Sequence, residues 1–94
     1  MKLIKTKRFS KNYSKIFEKD PFLINKIDNT LRKLSLNPFD ETLNSHKLKG
    51  KLTGLYSAKV TSDTRIIFDF VQKENEMCLL LLTFGKHDDV YKYF

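Results

Sequence analysis

The sequence predicts an α+β domain: an N-terminal strand and a helical hairpin packed on a mostly antiparallel sheet of four to five strands. Three observations carry that expectation. Apolar residues recur at helical spacing only between Phe9 and Leu34, period-two alternation takes over from Leu48, and the two helical stretches stand side by side rather than between strands. A chain of 94 residues supports one domain, residues 1–94, with a single core and no room for a cofactor domain.

Residues 2 to 8 alternate loosely and read as a first strand. Phe9, Tyr13, Ile16 and Phe17 then fall at helical spacing, with Ser10 as the expected cap. Asp20-Pro21 restarts the helix, since aspartate suits the cap and proline the first helical position. The second helix carries Leu23, Ile27, Leu31 and Leu34 on one stripe and Lys26, Asp28, Asn29, Arg32 and Lys33 outward, stopping near Asn37-Pro38. Further on, Tyr56, Ala58 and Val60 alternate with Ser57, Lys59 and Thr61, and Ser62-Asp63 forms a turn. Ile66, Phe68 and Phe70 then alternate with Arg65, Ile67 and Asp69. Lys73-Glu74-Asn75-Glu76 is a polar hairpin tip, and Met77 to Phe84 is apolar on both faces, as a central strand would be. Gly85 to Asp89 is a polar loop, and Tyr91 to Phe94 is apolar enough to dock on the domain.

The longest apolar run, Met77 to Leu82, has six residues, too few for a spanning helix. The opening residues return to charge before a hydrophobic region develops, so no signal peptide is expected, and the cytoplasm is the default location. Cys78 is the only cysteine and reads as a small buried hydrophobe; two scattered histidines give no metal-ligand spacing, so neither metal nor cofactor is expected. The net charge of +7 is unevenly spread: residues 1–60 hold fourteen Lys/Arg against five Asp/Glu, and the remainder four against six. Such a surface favours a polyanionic partner without choosing among RNA, DNA, an anionic membrane and an acidic protein.

The stretch His46-Lys-Leu-Lys-Gly-Lys-Leu-Thr-Gly54 places a histidine and three lysines beside two glycines, a composition suited to holding a polyanion against a strand. Lys47, Lys49 and Lys51 share one face if the segment is extended, and their mutual repulsion would be relieved by a phosphate chain. RNA can be cut without metal when its 2′-hydroxyl attacks the neighbouring phosphate; histidine suits the proton steps, and lysine and arginine suit the charge. His46 fits a general base or a ribose-orienting group, against the alternative of a surface loop histidine. His87 follows the central strand, where a loop can present it to a cleft or use it to brace a turn. Arg65, with Ser57 and Lys59, faces away from Ile66, Phe68 and Phe70; it offers a bidentate phosphate grip or a salt bridge with Asp69. Asp63 suits proton handling or a turn, and Tyr91 suits a base platform or core packing.

Taken together, His46 to Gly50, Tyr56 to Phe68 and Leu81 to Tyr91 resemble the RelE/ParE superfamily of toxins from type II toxin–antitoxin modules, in particular the YafQ-like and RelE-like messenger-RNA interferases. The resemblance spans the chain. It implies ribosome-dependent, metal-independent cleavage of translated messages, with His46, Asp63, His87 and Tyr91 in the active site. It also implies a phosphate-gripping Arg65 and RNA contacts from the basic residues around Lys49 and Lys51, with Lys47 beside them. The implied partners are the 70S ribosome with its mRNA and a cognate antitoxin whose complex can bind operator DNA; no membrane is involved. Lys59 departs from the pattern, which has a further histidine there, and a lysine neutralises phosphate more naturally than it takes a proton. Two other functions remain open on the same fold: ParE-like inhibition of DNA gyrase, and a non-catalytic nucleic-acid- or antitoxin-binding role.

Overall fold

The computed structural model describes residues 1–86 and residue 90. In chain order it contains β1 (Lys2–Lys5), α1 (Lys7–Lys19), α2 (Pro21–Leu36), β2 (His46–Lys47), β3 (Tyr56–Lys59), β4 (Thr64–Lys73) and β5 (Glu76–Lys86), with single 3₁₀ turns at Glu41–Leu43 and Gly50–Leu52. The five strands form one sheet in the order β1-β5-β4-β3-β2, in which β1 runs parallel to β5 and the other pairs are antiparallel. The α+β expectation therefore holds, with the central strand where the doubly apolar run placed it. No described helix is long and apolar enough to cross a membrane.

The first strand is shorter than the alternation over residues 2 to 8 suggested, and Ser10 is not the cap. Thr6 ends the strand, because its hydroxyl accepts the Phe9 N–H at 3.2 Å and donates to the Leu81 carbonyl at 2.8 Å. One side chain thus starts α1 and ties it to β5. Thr6→Ala is expected to cost about 1–2 kcal/mol, the range for a lost cap, as read by denaturant unfolding. At the next junction Asp20 closes α1 through its N–H to Ile16 (2.7 Å) and opens α2 by accepting the Leu23 N–H (3.1 Å), with Pro21 following it. Pro38 bars Asn37 from helical backbone, and α2 stops there.

Ile27, Leu31 and Leu34 of α2 and Phe9 of α1 pack on Ala58, Ile66, Phe68, Leu79, Leu81 and Phe84. Leu23 is only partly buried at the margin, and Phe17, expected on the packed stripe, is 61% exposed. Between the helices the Tyr13 hydroxyl donates to Asp28 at 2.8 Å, a bond that raises the tyrosine pKa. β4 and β5 are joined by Glu74-Asn75, both at positive φ (52° and 65°), the two-residue geometry that matches strand twist.

A bulge in the β4–β5 ladder explains how the central strand serves two faces. Ile67 pairs with Thr83 but Phe68 pairs with Leu81, so Leu82 is an extra residue. Leu79, Leu81 and Phe84 consequently all join the helix-side core despite the odd spacing from 81 to 84. Leu82 instead packs with a second, smaller cluster of Leu48, Leu52, Ile67 and Val90.

That cluster corrects the reading of residues 48 to 52. β2 ends at Lys47, and the chain then turns through Gly50 (φ +70°) and a 3₁₀ turn that lays Leu48 and Leu52 onto Ile67. Lys47, Lys49 and Lys51 therefore do not share a strand face. Nor is the sheet face away from the helices fully open, because this turn covers part of it.

Candidate functional site

Strand register places the candidate residues. His46 lies opposite Ser57, and Ser57 opposite Ile67; one row on, Lys59 lies opposite Arg65, and Arg65 opposite Gly85. Directly paired residues, and residues two apart on a strand, point to the same side. His46, Ser57, Lys59 and Arg65 thus share the face away from the helices, together with buried Ile67. His46 and Arg65 are two strands and two residues apart, about 12 Å between Cα atoms. Side chains of their length span a phosphodiester with its ribose across that gap.

Lys59 and Arg65 are like charges placed directly opposite each other, an arrangement that weakens a sheet unless an anion sits between them. Arg65 is half-buried, and its guanidinium donates to the Thr61 carbonyl at 3.3 Å. The alternative bridge to Asp69 does not form; that carboxylate accepts the Phe70 N–H at 2.8 Å. The fork of Arg65 is anchored at one nitrogen and keeps its remaining donors for a ligand.

His46 is exposed, with Nδ1 3.0 Å from the Asn44 carbonyl. A carbonyl oxygen only accepts, so in the neutral ring Nδ1 carries the proton and Nε2 presents its lone pair outward, the tautomer a general base requires. Asn44 holds this geometry from a left-handed conformation (φ 46°), which asparagine tolerates better than most residues. Asp63 is exposed in the connection between β3 and β4, two residues before Arg65 in the chain.

Lys47 pairs with Tyr56, whose ring belongs to the helix-side core, so Lys47 leaves the opposite face of the sheet from His46. Lys49 and Lys51 are exposed on the Gly50–Leu52 turn, where with Leu48 and Leu52 they line a solvent-open cavity of about 310 Å³. His87 and Tyr91 lie outside the described residues, although β5 ends at Lys86, the residue before His87. Sequence reasoning missed the state of Ser57: its hydroxyl is buried and has no hydrogen-bond partner among the described residues. Nothing in the alternation 56–60 distinguishes that serine from an exposed one.

The family model for a bacterial toxin of type II toxin–antitoxin systems, YafQ, matches residues 1–92. No curated protein matches the chain. Among solved structures, the chain is similar to a YoeB/ParE toxin from Agrobacterium tumefaciens, at 24% identity and a TM-score of 0.78 over 93% of this chain and 99% of that one. It is also similar to YafQ from E. coli, at 20% identity and a TM-score of 0.75 over 95% and 96% of the two chains. A third likeness is to the toxin–antitoxin complex YoeB–YefM from Staphylococcus aureus, a heterotetramer, at 19% identity and a TM-score of 0.72 over 93% and 97%. At these identities the structures speak for the fold, and the family model for the family.

Proposed function

The chain belongs to the YafQ family of toxins from type II toxin–antitoxin systems, within the RelE/ParE superfamily, and we propose that it cleaves messenger RNA on the translating ribosome without a metal. The observation that carries this reading is the Lys59–Arg65 pair, two cations opposed across β3 and β4, one row from His46 on the same face.

In the proposed reaction His46 Nε2 removes the proton from a ribose 2′-hydroxyl, whose oxygen attacks the adjacent phosphorus. The bond from phosphorus to the leaving 5′-oxygen breaks, leaving a 2′,3′-cyclic phosphate on one fragment and a 5′-hydroxyl on the other. Arg65 and Lys59 offset the charge that builds on the phosphoryl oxygens. The family resemblance puts His87, Tyr91 and Asp63 in the same site, and the roles proposed for them are that His87 protonates the leaving oxygen, Tyr91 stacks on a base, and Asp63 orients an imidazole. Lys49 and Lys51 extend the positive surface along the message. The ribosome orients the message, so cleavage of free RNA is slow. An antitoxin, as YefM is for the S. aureus YoeB it assembles with, blocks this basic face by occupying it, and the resulting complex can bind operator DNA. The toxin then acts in the cytoplasm, where ribosomes are.

Mapping message ends in expressing cells, and on purified translating ribosomes, tests this. The expected result is cuts inside translated frames only when ribosomes are present, and their disappearance with growth arrest in His87→Ala at unchanged thermal stability. Intact messages with an SOS response would indicate gyrase inhibition instead. Intact messages with no such response would leave binding as the only activity.

A further inference from the structure

The Lys59–Arg65 pair is the last row of the β3–β4 ladder, and the next residue of β4, Thr64, lies opposite Lys86 on the side that faces the helices. Thr64 and Lys86 border an open cavity of about 400 Å³ between the strand ends and the turn from α1 to α2. Half-buried Ile16 and Leu23 and the buried ring of Phe84 give it apolar walls. Two acceptors stand among them. Asn12 donates through Nδ2 to the Thr83 hydroxyl at 3.0 Å and keeps its Oδ1, while Asp20 accepts the Leu23 N–H at 3.1 Å through Oδ1 and keeps its other oxygen. Lys15 and Lys86, both exposed, place two cations at the mouth.

The proposed reaction gives the RNA a direction across the sheet. His46, on β2, meets the ribose whose 2′-hydroxyl attacks, and Lys59 and Arg65, on β3 and β4, meet the scissile phosphate. His87, the proposed acid for the leaving 5′-oxygen, follows the last residue of β5. The leaving nucleotide thus lies towards the end of β5, where the cavity opens.

We propose that this cavity is a base-selecting pocket that receives the nucleobase immediately 3′ of the cut, with Lys15 and Lys86 on the flanking phosphates. This rests on the cleavage reading above and deepens it by assigning residues that choose where a message is cut. Single-stranded RNA is read by splaying a base out of the strand, covering its faces with apolar or aromatic side chains and meeting its edge with hydrogen bonds. Mostly apolar walls with a few fixed polar groups suit that task. The acceptors of Asn12 and Asp20 match the N–H groups of a base edge, and the lysines match the strand that carries it. An acidic peptide segment would be drawn by the same lysines but would meet Asp20 as a like charge.

The test is single-turnover cleavage on ribosomes loaded with messages that differ only at the nucleotide after the mapped cut, carrying each of the four bases or an abasic ribose. For the parent, the abasic message should raise the toxin concentration that gives the half-maximal rate about tenfold over the preferred base, the scale of one stacked base. Leu23→Trp, which fills the cavity from its half-buried wall, should need that higher concentration on every message. It should lose nothing more on the abasic one and show no preference among the bases. Lys86→Ala should weaken all messages alike, with a salt slope shallower by about 1 unit. The abasic comparison uses the unmodified toxin, so it decides the matter even where thermal unfolding shows that Leu23→Trp does not fold.

A parent that cuts but is indifferent to the base after the cut would overturn the pocket and leave the nuclease reading standing. A folded Leu23→Trp that keeps the parent's preference would do the same. So would a loss in Leu23→Trp that persists in full on the abasic message, or one confined to antitoxin binding, which would make the cavity a seat for the antitoxin. If the parent cuts no message at all, the nuclease reading fails and the pocket with it.

Discussion

Arg65→Ala is expected to lower message cleavage on the ribosome by roughly 10²–10³-fold, the range for removing one preorganised donor from a site where negative charge develops. The argument begins with register: Arg65 is opposed by Lys59 across β3 and β4, so the pair concentrates positive charge where the sheet itself gains nothing from it. The stability cost of the substitution is small by comparison. One long hydrogen bond to the Thr61 carbonyl, 3.3 Å, is lost from a half-buried side chain, a change of about 1 kcal/mol at most. Arg65→Lys keeps the charge but not the fork and should recover only part of the rate. Single-turnover cleavage on message-loaded ribosomes, with unfolding measured in parallel, separates the two effects. A variant that cuts as fast as the parent would remove Arg65 from the chemistry.

Local chemistry made much of this fold legible before the structure. Asp20-Pro21 declares a helix start because each residue suits one position and few others, and the α2 stripe follows from spacing alone. The apolar run 77–84 correctly signalled a strand with neighbours on both sides. Long-range partners were not legible. Thr6 ends β1 because Leu81 is within reach of its hydroxyl, 75 residues away, whereas Ser10 looked equally able to cap from sequence. The segment 48–52 alternates like a strand, yet Leu48 and Leu52 are drawn onto Ile67 by a turn; Gly50 at φ +70° was the available signal against a strand. For the site, the shared face of Ser57, Lys59 and Arg65 followed from alternation on either side of a turn. The assignment of Lys47 with Lys49 and Lys51 to one face did not survive, because it needed the strand to run on to Lys51, whereas β2 ends at Lys47.

Phe68→Ala is expected to be the most destabilising of these changes, by about 3–5 kcal/mol, the range for deleting a fully buried aromatic ring. The ring stacks on Tyr56 at 5.6 Å and meets Phe70 edge-on at 5.8 Å, so the loss removes contacts on β3 and β4 together with those to the helices. A domain of this size holds on the order of 5–15 kcal/mol in all, and its melting temperature should fall by tens of degrees, roughly 4–8 °C for each kcal/mol. The consequence for function differs in kind from that of Arg65→Ala. Phe68 pairs with Tyr56 on one side and with Leu81, next to the bulge, on the other, and so helps hold the register that sets Ser57 against Ile67 and Lys59 against Arg65. Its ring points to the helix-side core, away from the face that carries the cations. At a temperature where the variant is still folded, cleavage per folded molecule should therefore stay near the parent's rate, and activity should vanish only along the unfolding curve. A large rate loss in the folded variant would mean that the helix-side core does more than keep the strands in register.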